Sequence, residues 1–291
     1  MRKANTFCFL ESMKISVVIP VHNGGAFLKR CVESALDQKL GNYELEVIVQ
    51  NNMSTDNIKK IAASFGDPRV LFYETEELLD SGSNWTDACR KATGDYIKLL
   101  PVDDTLLPGA LWEQAKVLDE SIDLSFVSSW RYLSTANGRR LPSIFGALIK
   151  GGEYTESDIL KLALIKPRNF FGEPGCVLFR AEVLNSCLPW RMSAGYAMDL
   201  DLYLRSLRHG KAMVLERQNS TFQISQNSLS NQAIQKQSSS TSEVLVEFIE
   251  KQGGMSIHSQ KGWLERIKIR GYLRLFLYVF IFGFSAMSAR R

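Results

Sequence analysis

The sequence predicts an α/β fold with a mostly parallel sheet and helices on both faces. Runs rich in β-branched and apolar residues, at 14–20, 43–49 and 96–100, indicate buried parallel strands. Segments with apolar residues at helical spacing lie between them, and this alternation is typical of a parallel sheet. Polar residues follow each strand, and an open α/β sheet binds its ligands where its strands end. We therefore expect the functional residues at the strand ends.

The elements follow from local signals along the chain. A His-Asn-Gly-Gly run at 22–25 breaks the first strand, and residues 27–36 then have helical spacing. Ser, Thr and Asp at 54–56 can cap a second helix. Further elements are predicted as a strand at 69–73, helices at 85–92 and 106–118, a strand at 124–130, a helix at 157–165, a short strand at 175–179, helices near 182–184 and at 199–208, and a last strand at 211–216.

Composition divides the chain into four predicted parts. Residues 1–12 form an extension without the apolar region of a signal peptide, and Met13 is an alternative start. Residues 13–225 form the α/β domain. The stretch 218–242 is rich in Ser, Gln and Asn, which favours an irregular or linker segment. Residues 226–260 are predicted as a polar linker with a short helix at 243–250. Residues 261–291 form a basic and apolar tail.

Cysteine usage and missing fingerprints narrow the function classes. The five cysteines have neither zinc nor redox spacing, which indicates a reducing, cytoplasmic location. The first strand is not followed by G-x-G-x-x-G, and the chain has no P-loop, so the common dinucleotide and NTPase motifs are excluded.

The adjacent acids Asp103 and Asp104 follow the strand at 96–100. Two carboxylates without a nearby His or Cys suit a hard cation such as Mg²⁺ or Mn²⁺, which keeps several waters and shares phosphate oxygens. The alternative is a solvated turn ahead of a helix, where the helix dipole favours acids. The pair by itself leaves both interpretations open.

Six separated runs resemble the family 2 glycosyltransferases, which have the GT-A fold. They occur in the order and at the spacing of that family and cover roughly residues 13–215. The runs are SVVIPVHN at 16–23, SALDQ at 34–38, EVIV at 46–49 with Asn52 and STD at 54–56, ATGDYI at 92–97, DDTLLPGAL at 103–111 and DLDLYLR at 199–205.

The resemblance implies an inverting transfer of a sugar from a nucleotide-sugar donor, foremost a UDP-sugar, to an acceptor hydroxyl. Such a displacement needs a metal to neutralise the leaving diphosphate and a carboxylate that removes the acceptor proton, held in line. Asp104 matches the metal ligand, and Asp103 matches a contact to the ribose or a metal-bound water. Asp199 matches the presumed base, with Asp201 as its rival and a plain helix-start acid as the alternative.

The resemblance also implies binding residues for both substrates. The nucleotide sugar is expected at residues after the first two strands, namely Pro20, His22, Asn23, Asn51, Ser54 and Asp56, together with Asp103. Plain turn and capping roles are the alternatives. The acceptor is expected at Phe171 and Glu173, although a Phe pair is also typical of a core.

Several departures from the family pattern bear on the donor and on catalysis. Asn51 replaces a frequent Asp, Met53 a usual Gly, Pro101 a further acid of some members, and Ser225 a frequent late His. The Gln-x-x-Arg-Trp motif of processive synthases is absent, which favours a single addition. The alternative function is a non-catalytic nucleotide-sugar-binding or scaffold protein of the same fold.

The tail carries most of the positive charge. Residues 261–291 hold seven Lys or Arg and one Glu, a net charge of +6 within a chain of net charge +4. The apolar run at 272–284 is shorter than the roughly 20 residues that cross a bilayer. We expect an interfacial helix on the anionic inner membrane face, where lipid-linked acceptors lie; a helix packed on the domain is the alternative. A role in bacterial-type surface polysaccharide synthesis follows, and nucleic-acid binding is not expected.

Overall fold

The structure is a computed structural model that describes residues 12–135, 138–224, 234–253, 262, 263 and 265. Its strands are β1 (Lys14–Val21), β2 (Glu44–Asn51), β3 (Val70–Glu74), β4 (Tyr96–Leu99), β5 (Thr105–Leu106), β6 (Leu124–Thr135), β7 (Gly152–Tyr154), β8 (Val177–Arg180) and β9 (Lys211–Ile224). Its helices are α1 (Gly25–Leu36), α2 (Ile58–Ala63), α3 (Ser81–Arg90), α4 (Ala110–Glu120), α5 (Glu156–Ile165), α6 (Ala181–Cys187), α7 (Met198–Ser206) and α8 (Ile234–Lys251). Short 3₁₀ turns lie at Ser143–Gly146, Pro174–Cys176 and Met192–Ala197.

Within the described residues, nine strands form one sheet in the order β3-β2-β1-β4-β8-β6-β9-β5, with β7 paired to β9. The first four strands of this order are parallel to each other, as predicted. Strand β8 is antiparallel to both β4 and β6, and β5 and β7 are antiparallel to β9, whereas β6 and β9 are parallel. The sheet is therefore fully parallel only in its amino-terminal half.

The core lies on both faces of this sheet. Val17 and Ile19 of β1 pack into one hydrophobic cluster together with α1 and α4, and Val18 packs into the other with residues of α3 and α5–α8. Strands covered on both faces need apolar residues at consecutive positions. This explains the uninterrupted apolar run that predicted β1.

The prediction of an irregular segment at 218–242 is wrong at its beginning. Strand β9 continues to Ile224, and four of its polar residues are buried, namely Asn219, Ser220, Thr221 and Gln223. Asn219 Nδ2 donates to Ser129 Oγ at 3.1 Å, and the hydroxyl groups of Thr105 and Thr221 are 2.5 Å apart. Polar residues can enter a buried strand when every group finds a partner, and sequence composition does not show those partners.

The end of the same segment is helical, because α8 begins at Ile234. Its hydroxyl groups bond within the helix: Thr241 Oγ1 donates to the Gln237 carbonyl and Ser242 Oγ to the Ser238 carbonyl, each at 2.8 Å. The apolar face of α8 buries Leu245, which supplies tertiary packing that its composition does not indicate. The predicted short helix at 243–250 is thus the second half of a longer one.

The beginning of the tail contacts the domain. Trp263 is 0% exposed, and its Nε1 donates to the Ala163 carbonyl on α5 at 2.8 Å. The apolar run at 272–284, the extension at 1–11 and Ser225 lie outside the described residues. In the part of the chain that the structure describes, no helix combines the length and apolar character needed to cross a membrane.

Candidate active site

The acid pair lies on the turn between β4 and β5. Asp104 is 1% exposed, and its Oδ1 accepts a hydrogen bond from the backbone N–H of Gln223 at 3.1 Å. A second bond, from Asp104 N to the Pro101 carbonyl at 3.0 Å, closes the turn. Strand β9 therefore fixes an acid that local sequence only places after a strand.

The electrostatics of the pair fit a cation. Burial, then the neighbouring Asp103 and more weakly Glu173, raise the pKa of Asp104 well above its usual value. Burial also raises the pKa of Asp103. The negative charges of the two carboxylates are poorly compensated by the surrounding protein. Adjacent carboxylate oxygens of this kind are the donor set that Mg²⁺ or Mn²⁺ prefers. Among the described residues, no group of three or more His, Cys, Asp or Glu side chains is arranged to hold a metal ion.

Arg30 of α1 supports the pair from outside, and sequence reasoning missed it. Its guanidinium donates to the Asp103 carbonyl at 2.9 Å and to Gln223 Oε1 at 2.7 Å. The positive charge also lowers the pKa of Asp103, against the effect of burial. Arg30 thus ties α1, the acid turn and β9 together.

Asp199, the predicted base, lies in the first turn of α7 and is partly buried. Its Oδ1 accepts from the Leu200 N–H and its Oδ2 from Asn169 Nδ2, each at 2.8 Å. Burial, and to a lesser degree Glu173, raise its pKa to about 7. A carboxylate with a pKa near the working pH can both take and release a proton efficiently.

The rival base, Asp201, is engaged elsewhere. Its carboxylate pairs with Arg205 at 2.8 Å and lies 3.7 Å from Arg191. A buried carboxylate held by a guanidinium is a structural ion pair. The geometry therefore favours Asp199 over Asp201.

Glu173 influences both the acid pair and Asp199 electrostatically. It raises the pKa of both Asp104 and Asp199, so its charge is close to each. Its carboxylate pairs with Arg131 of β6 through two contacts, at 2.7 Å from Nε and 3.0 Å from a terminal guanidinium nitrogen. Arg131 thus places a fixed positive charge beside the acids Asp104 and Glu173.

Phe171 does not present its ring to an acceptor. It is 0% exposed, with ring centroids 4.9 Å from Phe126 and 5.9 Å from Tyr203, both edge to face. A fully buried ring has no surface to stack on a sugar. We therefore correct its predicted acceptor contact to a packing role, which supports the loop that carries Glu173.

Residues predicted to bind the nucleotide lie on two loops that hold each other. Asn23 donates its backbone N–H to Ser54 Oγ at 2.9 Å, and its Oδ1 accepts from the Thr55 N–H at 2.8 Å. Asp56 accepts from the Gly25 N–H at 2.8 Å, at the start of α1. His22 is exposed beside them, with its Nδ1 donating to the Asn52 carbonyl at 2.6 Å.

Two other predicted nucleotide contacts are buried beneath these loops. Asn51 is 0% exposed; its Oδ1 accepts from the Ser54 N–H at 3.1 Å, and its Nδ2 donates to Glu74 Oε1 at 2.9 Å. Pro20 is buried in β1 opposite Gln50. Both side chains shape the floor of the loops and present no free surface to a base, which corrects the expectation of direct contact.

Met53 shows why glycine is usual at its position. Its φ is 52°, in the left-handed region where glycine carries no steric cost. Met53 therefore adopts a backbone conformation that glycine takes at lower steric cost.

Lys98 is a further residue that sequence reasoning missed. It is 1% exposed in β4, and its Nζ donates to the carbonyls of Gly175 at 3.0 Å and Val177 at 3.1 Å. Burial lowers its pKa to about 7. The signal for it in the sequence was a single Lys within an otherwise apolar strand. It braces the segment after Glu173 against the strand that ends in the acid pair.

Comparison with curated proteins gives partial matches. A protein of Mycobacterium tuberculosis (strain CDC 1551 / Oshkosh) is 30% identical over 197 residues, covering 66% of this chain and 61% of that protein. A glycosyltransferase of Rickettsia typhi is 32% identical over 118 residues, 40% of this chain and 35% of the relative. The chain thus matches about three fifths of the first relative's length and less of the second.

Solved structures share the fold at low identity. TarS of S. aureus in complex with UDP-GlcNAc has a TM-score of 0.62 at 16% identity, covering 87% of this chain and 79% of that one. The mannosyltransferase PcManGT of Pyrobaculum calidifontis, in complex with GDP-Man and Mn²⁺, has a TM-score of 0.61 at 16% identity, covering 91% and 73%. These likenesses show the GT-A fold predicted from the sequence.

The family model named glycosyl transferase family 2 matches residues 16–188, which is more than half of the chain. The match spans β1 to α6 and includes the acid pair and Glu173. With the sheet, the acid turn and the two fold relatives, this match places the chain in glycosyl transferase family 2.

Proposed function

We propose that the chain is an inverting glycosyltransferase that moves a sugar from a nucleotide-sugar donor to an acceptor hydroxyl. The observation that carries this proposal is that Asp104 and Asp199 are both influenced by the charge of Glu173, which raises the pKa of each. The carboxyl group of Asp199 has a pKa of about 7, suited to a base, and an acid pair lies close by. A general base and a site for a diphosphate are the two parts that a single displacement requires.

Asp104, with Asp103 beside it, would hold a divalent cation, Mn²⁺ or Mg²⁺. When bound, the cation neutralises charge on the nucleoside diphosphate that leaves. The poorly compensated carboxylates of the pair support this assignment. Arg30 and Gln223 hold the acid turn in place for it.

Asp199 acts on the acceptor. Its carboxylate takes the proton of the acceptor hydroxyl while that oxygen forms a bond to the anomeric carbon. The bond from the anomeric carbon to the diphosphate oxygen breaks, and its electron pair leaves with the nucleoside diphosphate. One displacement of this kind inverts the anomeric centre.

The donor and acceptor classes follow from relatives and from the loops. TarS binds UDP and UDP-GlcNAc, and PcManGT binds GDP-Man, so a nucleotide sugar is the donor class, with a UDP-sugar as our choice. The nucleobase of the donor would rest on the surface formed by His22, Asn23 and Ser54. Asp56 would hold this surface in place through its bond to the Gly25 N–H. Glu173 would contact the acceptor, a glycan or lipid-linked glycan of surface polysaccharide synthesis that receives one sugar.

A screen of UDP- and GDP-sugars by thermal shift, with and without Mn²⁺, tests the donor. A ligand at about 100 times its Kd adds about 2.7 kcal/mol, which corresponds to a Tm increase of roughly 5 °C in a domain of this size. We expect one donor to give this shift only when Mn²⁺ is present, and to be turned over. Binding without turnover of any donor would support the non-catalytic alternative, and an absence of binding would contradict both.

The tail is proposed to attach the enzyme to the cytoplasmic face of the inner membrane. Cutting the chain after Glu265 keeps the buried Trp263 in place and removes the basic and apolar segment. We expect the shortened protein to leave the membrane pellet for the supernatant and to keep the Tm of the full chain. A matched full-length variant with Gln at positions 266, 268, 270 and 274 should be released by moderate salt. Retention of the shortened chain in the pellet would contradict the anchor.

A further inference from the structure

Asn169, on the loop between α5 and the 3₁₀ turn Pro174–Cys176, bonds directly to the proposed base. Its Nδ2 donates to Asp199 Oδ2 at 2.8 Å and to the Gly172 carbonyl at 3.0 Å. Its Oδ1 accepts from the backbone N–H groups of Phe171 at 3.1 Å and Gly172 at 3.2 Å. All four bonding directions of one amide are used.

These contacts fix which end of the amide faces Asp199. Two backbone N–H groups require an oxygen acceptor, so the nitrogen must lie toward the carboxylate. The turn itself is constrained, because Gly172 has φ +81° and an added Cβ would lie 2.9 Å from Cys176 Sγ. Phe171, packed in the aromatic cluster, anchors the same turn. Asn169 therefore offers a donor from a rigid support.

We propose that Asn169 is a positioning residue of the transfer reaction, which holds the Asp199 carboxylate oriented and ionised for the acceptor hydroxyl. This inference rests on the proposed function of Asp199. It assigns a role to a side chain that the sequence motifs did not single out.

The charged groups around Asp199 make this donor important. Glu173 raises the pKa of Asp199, and Arg131 offsets part of the Glu173 charge by pairing with it. The buried Tyr203 lies close enough for Asp199 to raise the pKa of its phenol group. The Asn169 amide and the Leu200 N–H lower the pKa of Asp199, against burial and Glu173. Loss of the amide leaves one fewer group that favours the ionised base.

Asn169→Asp and Asn169→Ala test the proposal through the pH profile of kcat/KM. The Asp variant keeps an acceptor oxygen for the turn but replaces the donor to Asp199 with a group of like charge. We therefore expect the acid limb of the kcat/KM profile to shift to higher pH by about one unit or more. The Ala variant removes the donor without adding charge and should move the limb in the same direction by less. In both variants donor binding by thermal shift should stay unchanged.

Asn219→Ala is the matched control, because the Nδ2 of Asn219, like that of Asn169, donates to a carboxylate, here that of Glu113 at 3.0 Å. Its acid limb should stay where the wild-type limb is. Equal losses of kcat/KM at every pH in the Asn169 variants, with the limb in place, would overturn the positioning role and leave the proposed function standing. Full activity of Asp199→Asn would instead overturn the base assignment and this inference together.

A second measurement does not depend on activity. In the folded Asn169→Asp protein, the two carboxyl groups at positions 169 and 199 hold a proton that the unfolded chain has released. The stability of this variant relative to wild type should therefore fall as pH rises from about 5 to about 8. A constant difference in Tm across that range would contradict the contact between residues 169 and 199.

Discussion

Asp199→Asn is expected to lower the transfer rate by about 10³-fold, within the range that a general base contributes. The amide cannot accept the proton of the acceptor hydroxyl. Its single oxygen can still accept from the Leu200 N–H, whereas the bond from Asn169 Nδ2 is lost. The measurement is kcat with a saturating donor and acceptor, beside the Mn²⁺-dependent thermal shift given by the donor. We expect that shift to be unchanged, because Asp199 does not hold the diphosphate.

Asp201→Asn separates the two acids of α7. It breaks the ion pair with Arg205 and should lower Tm, with kcat within a few-fold of wild type. A loss of kcat in Asp201→Asn together with full activity in Asp199→Asn would reverse the assignment of the base.

The pH dependence of these variants carries a second signature. The base must be ionised, so the wild-type rate should rise with pH and level off above about 7, the pKa of Asp199. The folded state also holds this proton up to a higher pH than the unfolded state, which releases it near the ordinary carboxyl pKa. Stability due to Asp199 therefore falls as pH rises through that window. We expect the Tm of Asp199→Asn to gain on wild type between the two values, and a constant Tm difference would contradict the raised pKa.

Asp104→Asn is expected to remove Mn²⁺-dependent donor binding and to lower the transfer rate by about 10²- to 10³-fold. A bound cation contributes several kcal/mol of charge stabilisation, and each 1.36 kcal/mol corresponds to about tenfold in rate. The amide keeps an oxygen that can accept from the Gln223 N–H, so the acid turn should persist. Donor titrations with and without Mn²⁺ measure the effect.

Asp95→Asn is a suitable control at the opposite end of β4, where the Asp95 carboxylate accepts from the Lys14 N–H at 2.8 Å. It should bind the donor and respond to Mn²⁺ as wild type does. An Asp104→Asn protein that loses the same affinity with and without Mn²⁺ would refute the ligand role. Asp103→Asn should have a smaller effect, because Asp103 is placed beside the cation rather than as its principal ligand.

The sequence predicted the amino-terminal half of the fold well, since each strand there carries its own signal. Consecutive apolar residues in β1 and β2 reflect burial on both faces, and the polar residues that follow mark the strand ends. The segment at 218–242 was misread for the opposite reason. Its polar side chains are buried by bonds to partners far along the chain, such as Asn219 to Ser129.

The sequence by itself determined the family, the acid pair after β4 and the acid at the start of α7. These are local patterns of residue type and spacing, which a chain shows without folding. The tertiary structure decided that Phe171 and Asn51 are buried, and that the charge of Glu173 acts on both Asp104 and Asp199.

The contacts that prepare the site also belong to the tertiary structure. Gln223 bonds to Asp104 across 119 residues of chain, Arg131 to Glu173 across 42 and Asn169 to Asp199 across 30. In each case at least one of the two partners lies outside the six sequence motifs. Burial and charge at a site depend on which distant segments pack around it, so the pKa values that suit Asp199 to its role arise only when the chain has folded.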